Sequence, residues 1–513
     1  MSPLTILFLL PLLAAVLILA VPREYKVAIR GIALAASFGS LMAAIYTFVN
    51  YGTSAVGEGG FHFIQKIPWV ASLGISYFVG VDGINLGLIL MGAAVAFAAV
   101  IVSNRIEKYY KEFYFLLMVM IGGILGAFCS LDLFCFYFFH ELALVPTFIM
   151  IGVWGRGEKR NFATFQITLY LSIGALMVLI GLIALWLTLP ADIRTFDMVA
   201  LTEYFKTHRM AVGAQHLIFP LLLFGFGILV SLWPFHSWAP LGYGSAPTAT
   251  AMLHAGVLKK FGLYGLIRIA VPFMPDEAKA WMQILAYLCL GNIVYCGLVA
   301  MRQRDLNLLI GNSSVAHMGF AFLGIASLNI VGITGTVMIM VAHGFLAALT
   351  FALSGYIYEQ TNTTDMDKMG GMLTKLPYVG TVMIMAMMAG CGLPGFANFP
   401  GEAMVIFGSW SHFAPVTVFA VWGALVIGGV YMLRAIRSIW HGNKEQTGLV
   451  DADWQRKGAF ALLLAGLLLF GCYPRFLTDS IKASAEPLVA MATRANQPVA
   501  GVTVVQTATQ FLK

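Results

Sequence analysis

Apolar runs long enough to cross a bilayer follow one another along almost the whole of this 513-residue sequence. A helical span needs about 20 such residues, because the helix rises only about 1.5 Å per residue through a hydrocarbon core about 30 Å thick. The runs predict fourteen spans, centred on 4–21, 31–49, 82–103, 113–130, 132–153, 164–188, 217–234, 248–270, 281–300, 307–326, 330–357, 378–407 (interrupted), 413–433 and 458–474. Lipid offers the backbone no hydrogen-bond partner, so these runs are expected as helices, and the chain as an all-α polytopic membrane protein of about 14 transmembrane helices. A composition that is 60% hydrophobic and only 10% charged excludes an ordinary soluble enzyme. The net charge of +7 forms no basic patch interleaved with aromatics, so the partner it implies is the lipid bilayer and not nucleic acid.

Basic residues fall mainly in alternate loops. One set holds Arg23, Lys26, Arg30, Arg105, Lys108, Lys111, Arg156, Lys159, Arg160, Arg302, Arg304, Lys368, Lys375, Arg434, Arg437, Lys444, Arg456 and Lys457. The other holds chiefly Lys66, Arg194, Lys206, Arg209, Arg268 and Lys279, plus four in the C-terminal tail. The positive-inside rule therefore predicts a multi-pass bacterial inner-membrane protein with both termini on the periplasmic side. Leu4–Val21 lacks a basic n-region and a small-residue cleavage site, so it is expected as a mature helix. Six cysteines lie within or beside apolar runs with no CxxC pair, which suits small buried hydrophobes and neither a metal site nor a disulfide framework. The loops 51–80 and 191–215 are too short for a soluble domain.

The stretch Leu229–Arg268 breaks at Pro234 and Pro240 with His236 between them, then re-enters an apolar run carrying His254, Lys259 and Lys260. Each lysine at the centre of a span opposes insertion by roughly 2.5–3.5 kcal/mol, so the pair is expected to face a protein-lined, hydrated interior. The competing reading has both lysines snorkelling to the headgroups from a helix end. A matching interruption, PGFANFP, places Pro394 and Pro400 six apart like Pro234 and Pro240. If spans four to eight and nine to thirteen are repeats, both interruptions fall on the fourth helix, and an odd number of helices inverts one unit relative to the other. The division is then 1–111 for the first three helices, 112–271 and 272–434 for two inverted five-helix repeats, and 435–513 for the last helix and tail.

Ionisable residues inside the apolar runs are the strongest chemical signal: Glu141 beside His140, Lys260, His317, His343 and Glu402, on five different spans. They fit a row of protonatable groups joined by water, because a low-dielectric interior draws the proton affinities of acids and bases together. Histidine in a span is also a common hydrogen-bonded packing residue, which applies to His343. A carboxylate such as Glu402 can cap the half-helix after Pro400. Asp132 and Asp305 are expected to mark helix ends. Scattered acids among lysine and histidine do not form the oxygen-rich shell that sodium needs, so protons are favoured as the cargo.

At HELALVP around Glu141, PFHSWAP…APTATAMLHAGVLKKFGLYGLIR, QRDLNLLIGNSSVAHMGF, VAHGF and GLPGFANFPGE, the chain resembles the M-type antiporter-like subunits of respiratory complex I, the proton-translocating NADH:quinone oxidoreductase. The resemblance covers nearly the whole length. It implies two inverted five-helix repeats and a hydrated polar axis, with Glu141 the acid of the first repeat, Lys260 the central relay, His317 and His343 its neighbours and Glu402 the terminal group. It also implies that FMN, iron–sulfur clusters and quinone belong to partner subunits, that this chain holds no redox cofactor, and that L-type, N-type and small membrane subunits are its neighbours. Three departures stand out: Leu229 occupies the position of the family's buried span-seven lysine, Leu241, Gly242 and Tyr243 replace its DAH, and Asn307 and Leu308 replace its basic residues after the loop aspartate. Glu141 therefore lacks its usual partner, and is expected either to be partly protonated at neutral pH or to be served by His140, His236 or Lys259 instead. Other readings are a subunit of an Mrp-type cation/proton antiporter, of a related hydrogenase or carbon-uptake complex, or a membrane scaffold.

Overall fold

A computed structural model describes residues 2–442 and 448–494. Lys444 and the tail beyond Arg494 lie outside the described residues. The chain begins with α1 (Pro3–Ala20) and α2 (Lys26–Asn50), then a hairpin of β1 (His62–Val70) and β2 (Ile75–Val81). Four long helices follow: α3 (Gly83–Val102), α4 (Tyr110–Cys129), α5 (Leu133–Trp154) and α6 (Arg160–Leu187). After the short α7 (Met198–Thr207), the seventh expected span is built from α8 (Val212–Val230) and α9 (Trp238–Ser245). The eighth is α10 (Thr248–Leu253), α11 (Lys260–Gly265) and α12 (Val271–Phe273), joined through π-helical turns at His254–Leu258 and Leu266–Ala270. Next come α13 (Pro275–Leu290) and α14 (Cys296–Arg302) across a third π turn, then α15 (Leu306–Ala326) and α16 (Ile330–Thr361). The chain ends with α17 (Pro377–Gly390), α18 (Asn398–Trp422), α19 (Gly429–Trp440), α20 (Trp454–Cys472) and α21 (Arg475–Thr493).

Among the described residues, twelve helices are long and apolar enough to cross a membrane. The difference from the expected fourteen has a physical cause. The eighth span is broken at Lys259, a turn residue between the helical stretches 248–258 and 260–273, so neither piece is long enough to count. The twelfth is split between α17 and α18, and α18 runs on through a non-helical kink at Phe413, beside Pro415, toward α19.

Aspartates set several helix starts. Asp82 and Asn85 form a reciprocal capping box on α3, and Asp132 and Asp197 each accept two backbone N–H groups at the starts of α5 and α7. Asp305 caps α15 through the Leu308 N–H at 2.9 Å, so Asp132 and Asp305 do mark helix ends. These caps satisfy donors that helix geometry leaves without internal partners.

The two interruptions are built alike. α8 stops at Val230, Ser231 takes a left-handed conformation, and α9 resumes with Pro240 as its third residue. α17 stops at Gly390 and α18 resumes with Pro400 as its third residue. Proline in a first turn sacrifices no helical hydrogen bond, since its missing N–H would have had no partner there. The groups freed by the first break are taken up by Asn292, which donates to Ser231 O at 2.8 Å and accepts from Trp233 N at 2.8 Å. At the second break, Ala397 N donates to Leu467 O of α20 at 2.9 Å. The third helix of each expected repeat packs on its broken fourth, α6 on α8 and α9, α16 on α17 and α18.

Burial sorts the helices. From Gly332 to Ile357 every residue of α16 is buried, and α15 and the eighth span are buried almost as completely. Helices apolar on every side belong at the centre of a bundle. α1, α2 and α6 instead expose long rows of Leu, Ile, Val and Phe, as lipid-facing helices do.

Candidate proton-transfer axis

The three central helices carry both lysines and three of the histidines, His254, His317 and His343. Glycine permits the contact: a Cβ on Gly256 would lie 3.0 Å from Gly344 O, so only a bare Cα lets the eighth span approach α16 this closely. Lys260 is fully buried, and its Nζ donates to Ala255 O at 2.6 Å and meets His343 Nδ1 at 2.9 Å. The His343 and His317 rings lie 5.5 Å apart, centroid to centroid. His317 Nε2 is 3.8 Å from Glu402 Oε1. Four of the expected residues thus form one line from the eighth span through α16 and α15 to α18.

His317 is held between two backbone carbonyls, Ser313 O at 2.7 Å from Nδ1 and Gly390 O at 3.2 Å from Nε2. A carbonyl only accepts, so the form with a proton on both ring nitrogens is the one that satisfies both contacts. The Gly390 carbonyl is available because α17 ends there. Two residues on, Gly392 has φ +69°, and a Cβ there would stand 2.6 Å from Glu402 Oε2. A cavity of about 10 Å³, lined among others by His317, Glu402 and Tyr431, adjoins this end of the line. That is close to the space one water requires, and its polar lining suits a water.

Lys259 turns the other way. Its Nζ donates to Ser314 Oγ at 2.7 Å and lies 5.5 Å from the centroid of the Tyr243 ring. Both lysines are buried on the central span, so neither snorkels. Ser313, next to Ser314, accepts from the Tyr431 hydroxyl at 3.0 Å and lies 3.4 Å from His317 Nδ1, which brings Tyr431 and Ser313 to the main line. Ser313, Ser314 and Tyr431 were not singled out from the sequence, and Tyr243 only as a departure from the family's DAH. The only hint is the pair of small hydroxyls three and four residues before His317. On the face away from the N-terminus, a cavity of about 430 Å³ reaches Gly244, Ser245 and Asn307, just past Tyr243. Asn307 is tied down by Ser354 Oγ, 2.6 Å from its Oδ1.

The remaining candidates sit apart from the line. His254 is buried between the Trp238 and Tyr243 rings, 5.5 and 5.4 Å away, and its Nδ1 has no hydrogen-bond partner. His140 stacks on Phe261, the residue after Lys260, at 3.8 Å between ring centroids. Glu141 lies on the outward stripe of α5 between Phe138 and Val145, with about a third of its side chain exposed (32%). Its Oε1 is 3.4 Å from His140 Nδ1, and the Tyr137 hydroxyl interacts with the same carboxylate. Of the three partners expected for Glu141, His140 is the one nearby, within ion-pair distance but with no hydrogen bond between the two. Lys259 is committed to Ser314. His236 lies in the break after α8, 3.2 Å from Pro234 O and against the Tyr295 ring. Leu229, at the place of the family's lysine, is buried near the end of α8. Glu402 follows the first turn of α18, and the group facing it is His317, not a helix start. Among the described residues no cluster of His, Cys, Asp or Glu could hold a metal ion.

The chain is similar to known proteins over nearly its full length. Residues 130–428 match the family described as NADH:quinone oxidoreductase/Mrp antiporter, transmembrane. NAD(P)H-quinone oxidoreductase chain 4 1 of Nostoc sp. is 33% identical over 97% of this chain and 93% of its own length. NADH-quinone oxidoreductase subunit M of Rickettsia felis is 30% identical over 94% of this chain and 97% of its own. A chain of respiratory complex I from Thermus thermophilus superposes with TM-score 0.86 at 25% identity, covering 96% of this chain and all of that one. A chain of the Mrp complex from Dietzia sp. shares the fold, with TM-score 0.80 at 18% identity over 96% of this chain and 98% of that one. This chain belongs to the NADH:quinone oxidoreductase/Mrp antiporter transmembrane family.

Proposed function

We propose that the chain is the M-type membrane subunit of a proton-translocating NADH:quinone oxidoreductase, and that protons move along Lys260, His343, His317 and Glu402. The observation that carries the reading is the Lys260–His343 contact at 2.9 Å continued through His317 to Glu402, because it lines up donors and acceptors from the buried eighth span, α16 and α15 to the buried Glu402 side chain on α18. Lys260 and His343 exchange a proton directly. One water spans His343 to His317, and His317, cradled by two carbonyls, passes its proton to Glu402. Lys259, Ser314 and Ser313 feed the same histidine from the cavity at Asn307. Glu141 and His140 form a separate pair behind Phe261, so the first repeat uses a carboxylate–imidazole couple where its relatives by motif use a lysine.

In this reading FMN, iron–sulfur clusters and quinone sit in partner subunits, and this chain binds L-type, N-type and small membrane chains. The face rich in lysine and arginine is cytoplasmic, and both termini are periplasmic. The test replaces Lys260 with alanine in the native membrane and follows donor-driven quinone reduction and proton uptake on the same vesicles. Both fall together in an assembled complex if the axis is coupled. An unchanged proton-to-electron ratio would overturn the axis. Co-purification without flavin and iron–sulfur subunits would overturn membership of the oxidoreductase.

A further inference from the structure

On the face opposite the N-terminus, a cavity of about 820 Å³ opens between the start of α2 and the turn that joins α3 to α4. Lys26, Arg30 and Arg105 project into its lining, with Glu107 as the one acid there. Arg105 is paired with Glu359 at 3.4 Å. Among the described residues, Lys26 and Arg30 have no carboxylate within ion-pair distance. Arg30 spends one nitrogen on the neutral Gln455 at 2.9 Å, and its buried Nε has no hydrogen-bond partner. The backbone leaves the floor open: a Cβ on Gly31 would meet nothing within 4 Å. Tyr25 just before α2 and Tyr109 just before α4 are exposed, and Trp154 lies edge-on to Tyr109 at 6.4 Å; such aromatics gather where hydrocarbon meets headgroups. Below the cavity, α2 presents Phe38, Met42 and Ile45 outward, an apolar track for acyl chains.

We propose that this cavity binds the phosphate headgroup of an anionic phospholipid, held by Lys26 and Arg30 with its chains along α2. Basic pockets between spans on the positively charged side of membrane proteins are suited to this ligand. A soluble anion would use the charges but not the track. A protein helix would bring no anion to Lys26 and Arg30 unless it carried a carboxylate of its own.

The complex containing the full chain is reconstituted in phosphatidylcholine vesicles doped with photoactivatable phosphatidylglycerol or, separately, photoactivatable phosphatidylcholine. Labelled peptides are then mapped. The anionic probe labels residues 26–34 and 104–110 about fivefold more than the neutral one, the preference one basic side chain supplies near a membrane surface. Lys26→Gln keeps the space and removes a charge. Gly31→Leu keeps the charges and fills the space. Each lowers the labelling by a similar factor while the complex stays assembled, and if one variant fails to assemble the other still decides. Equal labelling by both probes, labelling that survives both substitutions, displacement by millimolar inorganic phosphate, or an intact complex with no label in the groove would each overturn the proposal.

Discussion

At the scale of single residues, the site depends on where the chain omits a side chain as much as on where it places a charge. Gly392 stands in the left-handed region, where a non-glycine residue costs about 1–2 kcal/mol, and its missing Cβ leaves room for the Glu402 carboxylate. Gly392→Ala is expected to lower stability by about that amount and to push Glu402 away from His317. Paired measurements of thermal unfolding and proton uptake should show both losses, whereas Glu402→Gln should lose proton uptake with little change in unfolding. Lys260, His317, His343 and Glu402 were legible in the sequence because an ionisable group in an apolar run is costly unless it has a use. Ser313, Ser314 and Tyr431 were not, because hydroxyl side chains are ordinary in membrane helices and sequence does not fix which way they point. Glu141 was legible as a candidate but not as an outward-facing one; the helix periodicity of its neighbours Phe138 and Val145 held that information.

At the scale of elements, a broken helix in a membrane persists only if something distant repairs it. The prolines announced both breaks, but the repair by Asn292 lies about 60 residues from Ser231 and could not be read locally. Asn292→Ala leaves the Ser231 carbonyl and the Trp233 N–H without that partner. Each unmatched buried group costs about 1–3 kcal/mol, so the substitution should lower the unfolding temperature far more than alanine at the exposed Ile284. The β1–β2 hairpin and α7 went unpredicted because the loops between apolar runs carry only short alternation. Their contact with the bundle runs through Asp132, whose Oδ2 accepts from Ser76 N at 2.9 Å. Burial pushes the Asp132 carboxyl up to about 6, against backbone N–H groups that pull it down. An unfolded aspartate titrates near 3.9, so between these values the folded state holds more protons and stability falls as pH rises, with the full cost present above pH about 6. Ser76 amide protection, corrected for the intrinsic pH dependence of exchange, should therefore weaken across that window, and Asp132→Asn should flatten the trend.

At the scale of the whole molecule, the expected pattern of spans and breaks was right in outline because hydrophobic length is a strong signal, while the break at Lys259 and the run of α18 into α19, which leave twelve long spans among the described residues, carry no mark in hydropathy. The orientation can be tested directly. A cysteine at Lys206 or Lys279 should react with a membrane-impermeant maleimide in intact spheroplasts, and one at Lys108 only after the membrane is opened. The last described helix, α21, lies across the N-terminal face with Leu477, Ile481 and Leu488 turned inward against α3, α12, α13 and α16. Its backbone approaches Gly83 so closely that a Cβ there would stand 1.8 Å from Ser480 O. The start of α3 is thus covered at its outer end by a segment about 400 residues later in the chain, where Gly83 N also donates to Ser484 Oγ at 2.9 Å. A chain cut between Cys472 and Arg475 would keep every long apolar helix found among the described residues and lose this roof, so crossing the bilayer and closing the bundle at this face are separable events.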